Sequence, residues 1–560
     1  IRQLGLPQDG CGVTRPLPQL TPENEFFWTS GADGKLRFRR CAKCGSFQHP
    51  PGPICRTCGS DDLAPEPVAG TGVVAGFTVN EHTWTPALPP PYIIAIVAID
   101  EDPRVRLTTN LVDVPLSELS VGRRVEVRFE HVEDVWLPVF TLATDGPAEG
   151  ALPAEEPTIP YVRPMARADK FEDKVALTGI GMSRIGRRLG VDPLALTVEA
   201  SRKAVEDAGL TMADIDGLST YPGGAAAGGH SEGGVTALEE SLRIRPTWIN
   251  GASETPGQGG SVVAAMLAVA AGLCRHVLCF RTVWESTWSE RLRQHPPTSG
   301  GGRVEGDMMA WRMPYGAMSA ANWIAMNASN HFHHYGTTRE ALGTIAVNAR
   351  RNAGLNPDAI YREPMTMDDY LGARMITSPF GLYDCDVPCD GSIAVIVSAA
   401  DTARDLRRPP VLVDAVGTQV IDRISWDQGT LHHEPQTQGP AAHLWTRSSL
   451  RPSDVDVAEL YDGFTFNCLS WIEALGFCET GEAGDFLSDP GRIALDGELP
   501  LNTFGGQLSA GRTHGYGFIH EAVVQLRGDG GDRQVAGAEV AAVSTGGGTP
   551  GGCFLFTTAR

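Results

Sequence analysis

Two Cys-x-x-Cys pairs, Cys41-Ala-Lys-Cys44 and Cys55-Arg-Thr-Cys58, stand ten residues apart, and each is followed directly by a glycine, Gly45 and Gly59. Paired knuckles of this kind bring four thiolates into the tetrahedron that Zn²⁺ accepts. Four protein ligands leave no open position on the metal, so the pattern specifies a structural zinc ribbon with Cys41, Cys44, Cys55 and Cys58 as ligands. A thiol–disulfide redox role needs only one such pair. The other eight of the 12 cysteines are scattered through apolar and loop sequence. That usage belongs to a reducing compartment and not to a secreted disulfide framework, so the expected location is cytoplasmic.

The ribbon is a small part of a long chain. At 560 residues several domains are expected. A formal charge of −21 argues against a nucleic-acid partner, while leaving room for a local basic patch that binds a small acidic ligand. The longest apolar stretches, such as Val262 to Leu273, are too short for a membrane span, and no segment reads as a signal peptide. Thr21-Pro22-Glu23 predicts a helix start ahead of Phe26, Phe27 and Trp28, which would dock on an apolar surface. Five β-rich runs, 73–79, 92–99, 105–111, 124–129 and 137–142, predict a small OB-type barrel. They lack the interleaved basic and aromatic residues of single-strand binding. Arg37, Arg39, Arg40 and Lys43 cluster on the ribbon instead, as a solvated face or a contact for a phosphorylated ligand.

Five prolines in 146–166 mark a linker. After it, apolar strand runs (174–182, 275–280, 393–397, 411–415) alternate with helices, one of them capped by Asp192 with Pro193 at its first position. The expected division is an N-terminal extension and helix (1–35), zinc ribbon (36–67), OB-fold (68–147), linker (148–171), and two halves of an α/β domain (172–405 and 406–560).

Three loops carry the chemistry: Glu459-Leu-Tyr-Asp-Gly-Phe464, the glycine-rich stretch Asn502 to Gly517, and Val543-Ser-Thr-Gly-Gly-Gly548 running on to Gly552. In this order they resemble the three active-site boxes of the thiolase superfamily. The resemblance implies a five-layer thiolase-like α/β fold behind a rubredoxin-like zinc ribbon and an OB-fold β-barrel, usually as a homodimer. At the family's catalytic positions the chain carries Tyr461, Arg512 and Ser544 in place of asparagine, histidine and cysteine. No cysteine follows Trp248 to Gly260, where the family's nucleophile would stand. Covalent thiolase chemistry needs that thiolate and its base.

What remains suits an acyl-CoA thioester that becomes an enolate. The chain resembles the thiolase-superfamily aldolases that cleave CoA-linked steroid side chains by retro-aldol reaction, releasing a ketone and propionyl-CoA or acetyl-CoA. The resemblance implies a carbon–carbon lyase of lipid metabolism with structural Zn²⁺, a CoA thioester as substrate, no redox cofactor, and a hydratase as partner. Tyr461 is the leading acid/base, its phenol lowered by Arg512, with His514 and Tyr516 as neighbouring alternatives. Gly506, Ser544, Gly546 and Gly547 would line the acyl-CoA site. Two other readings stay open: an acyltransferase using a nucleophile such as Ser253, and a non-catalytic acyl-CoA scaffold. His331, His333 and His334 are discounted as a metal site, because only His331 and His334 share a helix face and no third ligand is evident. Cys385 and Cys389 beside Asp386 read as loop thiols. Met308, Met309 and Met313 beside Trp311 read as apolar lining, able to border a bulky substrate.

Overall fold

The computed structural model describes residues 15–150, 152, 162–224, 228–295, 303–305, 308–421, 423–433, 436–546 and 551–559. Residues 151 and 153–161 of the expected linker and the first fourteen residues lie outside that set. In the ribbon, strand Arg37–Cys41 pairs antiparallel with Phe47–Gln48 on one side and Leu63–Pro67 on the other. The knuckles repeat one geometry. Gly45 N–H donates to Cys41 O at 2.9 Å and Gly59 N–H to Cys55 O at 2.8 Å. Both glycines take a left-handed φ, +77° and +71°, which explains why glycine follows each pair.

The expected helix start at Thr21 is corrected. Asn24 Oδ1 accepts the Thr21 N–H at 2.8 Å and closes a turn first, so the helix is only Glu25–Trp28. Its Phe27 and Trp28 are buried, and Trp28 stacks on Trp311 at 4.8 Å. Trp311 therefore clamps the N-terminal segment to the rest of the chain. The basic cluster is largely paired within the ribbon: Arg37 with Asp33, Arg40 with Glu66 at 2.7 Å, and Arg39 to Gly52 O at 3.0 Å.

Strands Thr71–Asn80, Tyr92–Ile99, Arg106–Leu111, Val135–Leu142 and Arg124–Val132 pair in that order, and Thr71–Val73 against Arg124–Glu126 closes them into a barrel. Strand Tyr92–Ile99 is apolar throughout because both faces are covered. Ile93, Ala95 and Val97 fill the barrel, while Ile94 and Ile96 pack with Met326 and Trp323 of helix Ala320–Tyr335. That contact joins barrel to helix closely: a Cβ on Gly76 would stand 2.5 Å from Met326 O, and Asn330 donates to Ala75 O at 2.7 Å.

The large α/β part shows an internal repeat. Val175–Met182 and Val411–Gly417 meet antiparallel at a central seam. Outward from the seam, the first half adds Asp390–Ala399 (antiparallel), His276–Trp284 (antiparallel) and Gly217–Thr220 (parallel). The second half adds Gly552–Thr558, Val540–Thr545 and Val457–Glu459 with the same sequence of orientations. Strand residues alternate between cores: Leu278 and Phe280 face helix Pro193–Ala208, whereas Val277 and Cys279 face the buried helix Gly260–Ala270. Asp192 caps Pro193–Ala208 as expected, its carboxylate accepting the Leu194 N–H at 2.9 Å.

Candidate active site

The ribbon sulfurs fit a metal. Cys41 and Cys58 Sγ stand 3.6 Å apart, as do Cys44 and Cys55, and all four lie within 4.8 Å of one another. Ligands 2.3 Å from a tetrahedral Zn²⁺ sit about 3.8 Å apart, whereas a disulfide needs about 2.05 Å. The site is a closed S₄ set and offers no position to a substrate.

Two of the three chemistry-bearing loops, through Tyr461 to Phe464 and through Arg512, reach a cavity of about 430 Å³ between the barrel and the α/β part. Tyr461, Arg512 and Asp386 reach its wall, joined by Ile324 at the start of helix Ala320–Tyr335 and by His82 and Trp84 from the barrel. Two loops hold Tyr461 in place. Ser544 Oγ accepts its backbone N–H at 2.8 Å. Asp462 accepts the Gln507 N–H at 2.7 Å and the Asn502 amide at 3.0 Å, which ties the tyrosine loop to the glycine-rich loop.

Arg512 is saturated with acids. Its Nε lies 3.0 Å from Asp386 Oδ2 and its Nη1 lies 3.1 Å from Glu285 Oε1. Burial opposes ionisation of Glu285, but Arg512 and the His230 hydrogen bond outweigh it and hold that carboxyl at about 2. Asp386 goes the other way: burial raises it, Arg512 only partly offsets this, Glu285 adds to the rise, and the group titrates at about 7. The expected lowering of Tyr461 is corrected here. Burial drives the phenol well above its ordinary value, Arg512 offsets part of that, and Asp386 pushes it further up. Because Arg512 is already paired with two carboxylates, its charge does not generate a phenolate. The Tyr461 phenol stays protonated at neutral pH, and Asp386 is a carboxyl of the cavity wall poised near neutrality.

The remaining expected site residues fall into place around this core. His514 lies between two guanidiniums, Arg281 at 2.6 Å from Nδ1 and Arg512 at 3.1 Å from Nε2, and is held well below its usual value by burial and those charges. It stays neutral and accepts a hydrogen bond from one of the two guanidiniums. Tyr516 is fully buried, and its hydroxyl bonds Ser261 Oγ at 2.6 Å where the two central helices meet, away from the cavity. Ser544 is likewise buried and acts on the Tyr461 backbone. Gly506 faces Asp462 and not the cavity. Gly546 takes φ +104° beside Gly257, and Gly547 lies outside the described residues. Cys385 lines the cavity, whereas Cys389 donates to Arg512 O at 3.3 Å. Ser253 is exposed.

Gly506 carries a sharp prediction. A Cβ there would meet Asp462 Oδ2 at 1.9 Å with φ at +58°. Gly506→Ala is expected to lower stability by about 2 kcal/mol or more. Denaturant unfolding against wild type would measure this, and an unchanged midpoint would contradict the close approach.

Sequence reasoning passed over Asp386 as a spacer between two cysteines and gave no role to Glu285, Arg281, His82 or Trp84. No local pattern marks them: Glu285 and Asp386 meet Arg512 across more than a hundred residues of chain.

A duplicated α/β fold with the three glycine-rich loops in place, a tyrosine where thiolases keep asparagine, and no cysteine at the head of the buried helix defines a class: a thiolase-like acyl-CoA enzyme without the thiolase nucleophile. Comparison with known proteins agrees. Three family descriptions match: "Thiolase C-terminal domain-like" over 434–552, "ChsH2, C-terminal OB-fold domain" over 65–130, and "ChsH2, rubredoxin-like zinc ribbon domain" over 28–64. The chain is 35% identical to the steroid side-chain-cleaving aldolase of Thermomonospora curvata, over 63% of this chain and 90% of that one. It is 34% identical to the 17-hydroxy-3-oxo-4-pregnene-20-carboxyl-CoA lyase of Mycobacterium tuberculosis, over 67% and 97%. A solved structure titled Ltp2-ChsH2(DUF35) aldolase superposes with a TM-score of 0.62 at 32% identity, covering 69% of this chain and 98% of that one. The chain belongs to the thiolase-superfamily aldolases, with a ChsH2-type zinc ribbon and OB-fold fused ahead of the thiolase-like part. It is a retro-aldol CoA lyase. Among the described residues no helix is long and apolar enough to cross a membrane.

Proposed function

We propose that the protein cleaves the Cα–Cβ bond of a β-hydroxyacyl-CoA whose acyl group carries a steroid ring system, releasing a ring ketone and propionyl-CoA or acetyl-CoA. The observation that carries this reading is the pairing, on one cavity wall, of a protonated Tyr461 with a buried Asp386 that titrates at about 7. Asp386, ionised, accepts the proton of the β-hydroxyl. The Cα–Cβ electron pair moves onto the thioester as an enolate, and the former carbinol carbon leaves as a ketone. Tyr461 then delivers its proton to Cα, and the proton held by Asp386 returns to the tyrosinate, which closes the cycle. Arg512 holds Asp386 in position and, with Glu285, fixes the charge balance of the wall. Trp84, Ile324, Ile376 and Phe464 give the cavity the apolar face that a ring system needs. The substrate named for the Mycobacterium tuberculosis relative supports the steroid class. A homodimer through the thiolase-like part, and a hydratase that supplies the β-hydroxy thioester, complete the proposal.

The test is a cleavage assay on a panel of β-hydroxyacyl-CoA thioesters, one bearing a steroid ring system, with ketone and short acyl-CoA followed by mass spectrometry. Cleavage of the steroid thioester is expected. Failure of every member to be cleaved, with CoA binding intact, would overturn the reading in favour of a scaffold. An acyl-enzyme trapped in the same assay would favour an acyltransferase. The pH profile tests the base separately. Wild-type kcat/KM is expected to rise about tenfold per pH unit below about 7 and level off above it. Asp386→Asn, which cannot ionise, should lose most activity and that limb of the profile.

A further inference from the structure

Outside the ribbon and the catalytic cavity, one group of side chains has the composition of a metal site. His331 on helix Ala320–Tyr335, His433 in the loop before helix Gln438–Trp445, and Glu473 on helix Thr465–Ala474 each offer one ligand atom, all within 4.8 Å of one another. All three side chains are completely buried. We propose that these residues form a second, structural metal site for a zinc-class divalent cation.

Three observations carry the proposal. First, neither ring nitrogen of His331 has a hydrogen-bond partner, although the side chain has no exposure. A buried polar atom left unmet is destabilising, so such a group calls for a partner. Second, its Nε2 stands 3.5 Å from Glu473 Oε1, too long for a hydrogen bond. Two ligand atoms each about 2.1 Å from a tetrahedral ion are about 3.4 Å apart, which is that spacing. Third, the outer contacts suit ligation. Glu473 Oε1 is fixed by the Ala483 N–H at 3.0 Å, and His433 Nδ1 meets the Gln438 amide at 2.9 Å. With the amide nitrogen toward Nδ1, His433 donates from Nε2 to Glu473. Turned over, the amide oxygen accepts from Nδ1–H and leaves the Nε2 lone pair for a metal. This is the outer-shell contact that metal-bound imidazoles use. Two imidazoles and a carboxylate suit zinc and its first-row neighbours, with a small fourth ligand such as water.

The site joins the two helices whose opposite ends line the catalytic cavity, through Ile324 on one and Asn467 on the other. A metal there would brace the cavity without entering it. Sequence reading missed the set because it paired His331 with His333 and His334, its neighbours in the chain. The true partners come from about 100 and 140 residues away.

The experiment counts zinc in the tag-free, full-length protein by elemental mass spectrometry after zinc loading and desalting. Two zinc ions per chain are expected, one in each site. Glu473→Gln and His331→Leu should each reduce the count to one while keeping the ribbon zinc. A count of one in wild type overturns the proposal and leaves a metal-free hydrogen-bonded triad. A count of two that survives in both variants also overturns it. Should the variants fail to fold, zinc K-edge absorption on wild type decides. A ligand shell averaging about half sulfur supports the second site, and an all-sulfur shell refutes it.

Discussion

Tyr461→Phe is expected to lower the rate of thioester cleavage by about 10²–10⁴-fold, with CoA binding and thermal stability nearly unchanged. The hydroxyl is the only group removed. The ring keeps its packing on Phe518, at 6.0 Å between centroids, and the backbone keeps its hydrogen bond to Ser544. The loss should appear in kcat more than in KM, because the proton moves only as the enolate collapses. The direction of the phenol's shift adds a second readout. Burial raises it well above its ordinary value, so no tyrosinate absorbance should develop at neutral pH in wild type. A variant that retained full activity would remove Tyr461 from the chemistry and transfer the proton delivery to another group on the cavity wall.

Removal of the ribbon zinc is expected to have the largest effect on folding. Four thiolates 3.6 Å apart in pairs, on a sheet of three short strands, leave this segment with little core of its own. In such small units the metal supplies the folding free energy, about 10–16 kcal/mol in isolated zinc-finger peptides at neutral pH. Cys55→Ser should therefore unfold residues 37–67 and free the Phe27–Trp28–Trp311 contact on which the segment rests. Limited proteolysis would show new cleavage within the ribbon, while the α/β part should keep its far-ultraviolet dichroism. Retention of a protease-resistant ribbon after the substitution would show that packing alone holds it. The barrel lends His82 and Trp84 to the cavity wall, so activity should fall as well where loss of the ribbon shifts the barrel.

How much of this was legible beforehand divides along the chain. The zinc ligands, the five barrel strands, the Asp192 cap and the three glycine-rich loops were all readable, because each is written within a few dozen residues. The structure puts Tyr461 on the cavity wall, but with its phenol raised and not lowered. Sequence put a guanidinium beside the phenol, but not the two carboxylates that occupy it. Gly506, Ser544 and Tyr516 were taken as site residues on the strength of their loops. Ser544 and Tyr516 instead turn their hydroxyls to the Tyr461 backbone and to Ser261, and Gly506 packs against Asp462 too closely for any side chain.

Local spacing determined that this chain carries a closed S₄ metal site and an OB-type barrel, and the order of its three loops carried the resemblance to a thiolase-like framework without its nucleophile. Ligand geometry, strand period and turn conformation depend on near neighbours, and a sequence states those directly. The protonation states of the cavity wall, the contribution of the barrel to that wall, and the His331–His433–Glu473 cluster were decided only by the tertiary structure. A buried charge takes its value from whatever the fold packs against it, and here those partners are separated by up to 200 residues and more of chain.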